Sequence, residues 1–225
     1  MTVRRVASAT SPRGETVLLR RENGALELRV NGVFVMDTLH TASERELARV
    51  ALEAPAAATE ENRSLTVLVG GLGLGFTLHE VLANPRVDRV LVAELEPAVV
   101  EWFRQGLVPE LAPDRFDERA HLVSEDVTAL VSSQREESLD VVLLDVDNGP
   151  GYLVHSANST VYDGWFLAEC RATLRPSGAL AVWSAAPAPE LSATMRTVFD
   201  RVDHREIPVT LGTTETEYHL YLGHR

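Results

Sequence analysis

The chain is poor in cysteine, in positive charge and in long apolar runs, and each shortage removes a class of protein. Its single cysteine, Cys170, cannot close an internal disulfide, so a disulfide scaffold is excluded. Basic residues number 21 against 33 acidic ones, a formal net charge of −12. Affinity for a phosphate backbone rests on dense Lys and Arg releasing counterions, so nucleic acid is not expected as a partner. A cationic or neutral small substrate suits such a field better. No apolar run approaches the roughly 20 residues that cross a bilayer, and the opening MTVRRVASATSPRG lacks the apolar stretch of a secretory signal. No membrane partner is expected, and the expected location is the cytoplasm.

What is present is ordinary globular composition, 45% hydrophobic and 24% charged, over 225 residues. That length holds one sizeable α/β core and a small appendage, and is too short for two full enzyme domains. From Thr16 to Thr38 the sequence reads TVLLRR, ALELRV and VFVMDT, separated by Asn23-Gly24 and Asn31-Gly32. Asn-Gly supplies the positive φ angles of tight hairpins, so this is a three-stranded meander, too small to stand alone. Ser43 followed by Glu46 has the form of a capping box, and Leu47, Val50 and Ala51 carry a helix on to about Ala54. The stretch APAAATEENRS then reads as a polar boundary, which divides the chain into an appendage (1–60) and a main domain (61–225).

Beyond Leu65, the apolar runs LTVLV, RVLVAE, AHLVSE, LDVVLLD and GALAVWS alternate with amphipathic segments. Five buried strands interleaved with helices make a parallel sheet covered on both faces. Two further strands, RVDHREIPV and TEYHLYLG, follow the helix ELSATMRTVF without a helix between them and pair as a hairpin through Leu211-Gly212. The expected fold is doubly wound α/β, a mostly parallel seven-stranded sheet with a small N-terminal meander. Its ending resembles the antiparallel last strand of class I methyltransferase folds. Trp165, Phe166, Leu167, Cys170 and Leu174 read as the buried face of one helix, and Trp183 as a core residue of a strand.

The first core strand runs into Gly71-Leu72-Gly73-Leu74-Gly75 and a helix from Phe76, a loop that lets backbone approach a ligand and aims free N–H groups at an anion. Glu94 ends the second strand, where a carboxylate accepts both ribose hydroxyls of a dinucleotide or of an adenosyl sulfonium ligand. Glu96 reads as a carboxylate at the start of the helix from Pro97. Asp126, after the third strand, is placed to accept from an adenine amino group or to cap the next helix, with Val127 over the ring. Asp145 ends the fourth strand at the switch-point crevice, next to Asp147 and Asn148. Tyr152, His155, Asn158 and Tyr162 follow in a loop suited to cover substrate. His204, His219 and His224 show no ligand-like spacing, so no metal site is expected.

The segment VLVGGLGLGFTLHEVLANPRVDRVLVAELEPAVVE resembles the nucleoside-binding half of the spermidine synthase family, and the resemblance extends from about Val30 to Trp183. It aligns AELEP, with Glu94 and Leu95, on the ribose-binding turn, SED on the adenine-binding aspartate, and LLDVDNGPG on the loop of the catalytic aspartate. The resemblance implies S-adenosylmethionine or its decarboxylated form as co-substrate and a small nucleophilic acceptor such as an amine. It assigns catalysis to Asp145; Asp147, new relative to the family pattern, is expected to help orient the acceptor, and Asn148, Tyr152 and Tyr162 are expected acceptor contacts from their place in the loop. It further implies a homodimer supported by the meander. Three departures stand out. Asn148 replaces the second carboxylate of the family's DSxDP, Leu74 replaces the aspartate that grips the aminopropyl ammonium, and SERELARVAL replaces the helix with the Tyr-His pair lining the polyamine channel. Loss of the aminopropyl clamp points to methyl transfer ahead of aminopropyl transfer, with a nucleoside-binding protein without turnover and an NAD-dependent dehydrogenase as further readings.

Overall fold

The computed structural model describes residues 3–58, 63–108, 111, 117–151, 153, 156–211 and 213–225. Strands β1 (Val3–Ser11), β2 (Gly14–Arg21), β3 (Leu26–Val30) and β4 (Val33–Asp37) form an antiparallel sheet in that order. Asn31 and Gly32 take φ of 52° and 78°, the turn that joins β3 to β4 without splaying them. β1 adds a fourth strand to the expected meander. Its residues are all exposed or half-buried, so VRRVASATS lacks the apolar alternation that marks a strand, and pairing with β2 is what holds it. Leu18, Leu26 and Leu28 point inward and share a core with the larger sheet.

Helix α1 (Ala42–Ala58) starts one residue before the expected cap. The capping box does not form: Ser43 lies within the first turn and donates to the Glu44 carboxylate at 2.7 Å, while Glu46 pairs with Arg49. The helix also runs through Ala56, Ala57 and Ala58, the start of the stretch read as a boundary, in keeping with alanine's high helix propensity.

Seven strands make the main sheet: β5 (Leu65–Gly70), β6 (Val87–Ala93), β7 (Ala120–Val123), β8 (Leu139–Leu144), β9 (Leu174–Ser184), β10 (Arg201–Leu211) and β11 (Thr214–His224). Their order is β10-β11-β9-β8-β5-β6-β7, with β5 to β9 parallel and β11 antiparallel to both neighbours. The hairpin therefore enters the sheet by its second strand and leaves β10 at the edge. β8 is fully buried, as the apolar run from Val141 to Leu144 requires of a central parallel strand. One face is covered by α1, α2 (Phe76–Ala83), α3 (Pro97–Arg104) and the small sheet. The other is covered by α4 (Val127–Ser132), α5 (Gly164–Thr173) and α6 (Pro189–Val198).

Trp165 corrects the expected core. It is 86% exposed, whereas Phe166, Leu167, Cys170 and Leu174 are buried. At about 100° per residue Phe166, Leu167 and Cys170 share one arc of α5 and Trp165 falls on the opposite side, while Leu174 lies past the helix end as the first residue of β9. Among the described residues no helix is long and apolar enough to cross a membrane.

Candidate active site

Beyond β5 the chain proceeds to β6 and β7 on one side, and then through β8 to β9 on the other. The junction of β5 with β8 is therefore the switch point at which a crevice opens. The glycine loop makes that junction close. Gly71 has φ of 90°, and a Cβ there would sit 2.1 Å from the Asp145 carbonyl oxygen, so a side chain would force β5 and β8 apart. At Gly73 a Cβ would meet the sulfur of Met36, from β4, at 2.5 Å. Gly75 is the N-cap residue of α2.

The expected adenosine side of the crevice is lined by Gly71, Gly73, Glu94, Leu95, Asp126 and Val127. Glu94 faces the glycine loop. Its Oε2 accepts from the backbone N–H of Leu72 at 2.9 Å, and its Oε1 accepts from that of Glu96 at 2.8 Å. Burial pushes the Glu94 carboxyl above its ordinary range, and these amides pull it back. Glu96 is the N-cap residue of α3 but makes no side-chain cap bond. It instead accepts from Ser11 at 3.2 Å and pairs with Arg13 at 3.7 Å, which ties the β1–β2 turn to this edge. Asp126 caps α4, taking Thr128 N–H at 2.8 Å and Thr128 O–H at 2.7 Å, both on Oδ1. Val127 packs so tightly on Gly70 that a Cβ there would lie 2.7 Å from it.

At the other end, Asp145 accepts from the Thr77 hydroxyl at 2.5 Å. Burial raises its pKa to about 6, with the Thr77 bond opposing. Lining the same crevice is a residue the sequence does not single out, Glu44 of α1, buried, its carboxylate accepting from the Ser43 hydroxyl and from its own backbone N–H. Burial first, and the charge of Asp145 second, lift Glu44 to about 7. Two carboxyl groups that line one crevice and repel each other in this way do not readily both ionise. Only the departure of SERELARVAL from the family pattern hinted at this position.

Glu44 and Trp183 stand in a wall common to this crevice and to a second cavity, which is also lined by Phe34, His40, Asn148 and Tyr218. Trp183, read as core, is 7% exposed, and its indole N–H is buried without an acceptor among the described residues. Asp37 also lines the second cavity but is committed to Arg21 and to the Leu39 and His40 amides. Asp147 adopts φ of 55° and accepts from Asn158 at 2.6 Å. Asn148 donates to the Phe34 carbonyl at 3.3 Å. Tyr162 lines neither cavity: its ring is buried and its hydroxyl donates to the Val146 carbonyl at 2.8 Å, bracing the loop that carries Asp145. Tyr152 and His155 lie outside the described residues. Seven lining residues of the crevice are acidic (Glu44, Glu94, Glu96, Glu125, Asp126, Asp145 and Asp147), and among the described lining residues none is cationic.

The sequence matches the family described as the spermine/spermidine synthase domain over residues 31–198. It is 31% identical over 172 residues to polyamine aminopropyltransferase 2 of Pseudomonas aeruginosa, covering 71% of this chain and 46% of that protein. It is 31% identical over 114 residues to putrescine N-methyltransferase 2 of Nicotiana tabacum, covering 50% of this chain and 30% of that protein. The chain thus spans less than half the length of these curated relatives. The fold is similar to that of a spermidine synthase crystallised with the transition-state analogue AdoDATO, with a TM-score of 0.81 at 18% identity, covering 98% of this chain and 73% of that one. A spermidine synthase from Thermotoga maritima gives 0.79, also at 18% identity, over 98% and 72% of the two chains. These likenesses show the fold, a class I methyltransferase-like α/β sheet.

Proposed function

Because the chain belongs to the spermine/spermidine synthase family, we propose that it moves an alkyl group from an adenosyl sulfonium donor to the nitrogen of a small amine. The observation that carries this reading is the pair Asp145 and Glu44, a half-buried and a buried carboxyl group in one crevice, with Glu44 also in the wall of a second cavity. The adenosine lies along Glu94 and Asp126, and the sulfonium carbon faces Asp145. An amine enters the second cavity as an ammonium, drawn by the acidic wall. Asp145, raised to about 6, takes its proton, and the freed lone pair attacks the carbon bound to sulfur. The carbon–sulfur bond breaks with its electron pair going to sulfur, leaving a neutral thioether nucleoside and an alkylated amine.

The donor group follows from charge. S-adenosylmethionine would bring a carboxylate into a crevice that holds seven acids and no cation among its described lining residues, whereas the decarboxylated donor brings an ammonium. Glu44, from α1, brings a carboxyl group in place of the anion that Leu74 removes from the glycine loop, and a bound ammonium would favour its ionised form. This supports aminopropyl transfer, the reverse of the order suggested by Leu74 alone. Methyl transfer is the second reading, favoured by Leu74 and by the likeness to a putrescine N-methyltransferase.

Mass spectrometry of the purified protein incubated with each donor and a panel of amines tests both. Aminopropyl transfer yields methylthioadenosine and an amine heavier by the aminopropyl group, and methyl transfer yields S-adenosylhomocysteine and a methylated amine. Nucleoside binding with no product from either donor would replace transfer with a binding role.

A further inference from the structure

The antiparallel hairpin at the sheet edge gathers three metal-ligating side chains that lie apart in sequence. Residues two apart on a strand share a face, so His204 and Glu206 of β10 point the same way. His219 of β11 is the register partner of Glu206, so the three meet on one side of the hairpin, their ligand atoms all within 4.8 Å of one another. Spacing along the chain does not show this, because the cluster is made by cross-strand register.

We propose that His204, Glu206 and His219 form a binding site for a divalent transition metal, Zn²⁺ by ligand type. His204 Nε2 and His219 Nδ1 are 3.1 Å apart. Two nitrogens bound to one tetrahedral zinc at ordinary Zn–N lengths stand about 3.3 Å apart, so the imidazoles are nearly pre-set for a shared ion. An imidazole–imidazole hydrogen bond explains that distance equally well, but it leaves the neighbouring carboxylate unanswered. Glu206 takes neither a hydrogen bond nor a salt bridge among the described residues. His219 is 3% exposed, so the hairpin holds its ring in place with Nδ1 toward His204. Glu206 and Glu217 supply negative charge beside His219, a field that favours a cation.

Two imidazoles and one carboxylate leave a fourth position of a tetrahedral ion to water. The ion would pin β10 to β11 on the face opposite Tyr218, which lines the second cavity. The site therefore acts as a clip on the wall of the reaction chamber, and its existence does not depend on the transferase reading.

Calorimetric titration of Zn²⁺ into the full chain, stripped with a chelator, tests the site. One equivalent is expected to bind, and Co²⁺ in its place is expected to give a visible d–d absorption band. His204→Ala and Glu206→Gln alter exposed side chains and are expected to weaken binding at least about tenfold, while melting without metal at the wild-type temperature. Absence of saturable binding, or equal affinity in the wild type and both variants, would overturn the proposal.

Discussion

Strand β8 carries the buried Asp140 near its start and is followed directly by the half-buried Asp145, and the fold treats the two in opposite ways. Asp140, 0% exposed, is met by Arg63, by Arg175 at 2.6 Å and by the Thr66 N–H at 2.8 Å. Asp145, at the carboxyl end, meets a hydroxyl and a second buried acid, and its carboxyl is raised to about 6. The first arrangement answers a buried charge. The second leaves one unanswered next to another, which a sequence selected for stability alone would replace. On the proposed reading, the difference separates a structural carboxylate from one kept for chemistry.

The largest effect that would sharpen this contrast is on turnover. Asp145→Asn is expected to lower kcat by about 10²–10⁴-fold in the transfer assay while methylthioadenosine binding is retained. Loss of binding together with activity would show that the residue shapes the crevice and is not the base. Asp140→Ala should do the reverse. Leaving Arg63 and Arg175 without their anion is expected to cost about 3 kcal/mol in chemical denaturation, with kcat of the folded fraction unchanged.

Glu44→Gln is the intermediate case, and its sign is informative. Between the ordinary carboxylate range and about 7, the folded protein holds a proton that the unfolded chain has released, so stability falls as pH rises through that window. The amide variant is therefore expected to be more stable than wild type at pH 8, on the order of 2 kcal/mol, and little different at pH 4. The same variant is expected to raise the KM for the amine. A variant that is less stable at pH 8 would mean that Glu44 is ionised against a partner and is not held protonated by burial. The smallest effect is expected at Trp165, where exchange for Ser on the exposed side of α5 should alter stability by no more than about 0.5 kcal/mol.

The two ends of the crevice also differ in how far the sequence disclosed them. The adenosine end is built from successive strand-to-helix turns, so Gly71, Glu94 and Asp126 each follow an apolar run and can be located by counting strands. The reaction end is assembled from remote pieces: Met36 from β4, Glu44 from α1, Trp183 from β9 and Tyr218 from β11. Glu44 looked like part of a helix start and Trp183 like core, because burial in a cavity wall and burial in a core share one local pattern. The sheet was legible throughout, since β5, β6, β8 and β9 are apolar enough to be buried on both faces. β1 was not legible, because an edge strand without an apolar face is held by pairing and leaves no periodic trace.

The central claim is that an adenosine lies at the carboxyl ends of β5 and β6 against Glu94. Calorimetric titration of methylthioadenosine into wild-type protein and into Glu94→Ala measures it directly. The expected result is saturable one-to-one binding that the substitution weakens by about 10- to 100-fold, the loss of charged hydrogen bonds to the ribose. Equal affinity in the two proteins, or no binding to either, would contradict it.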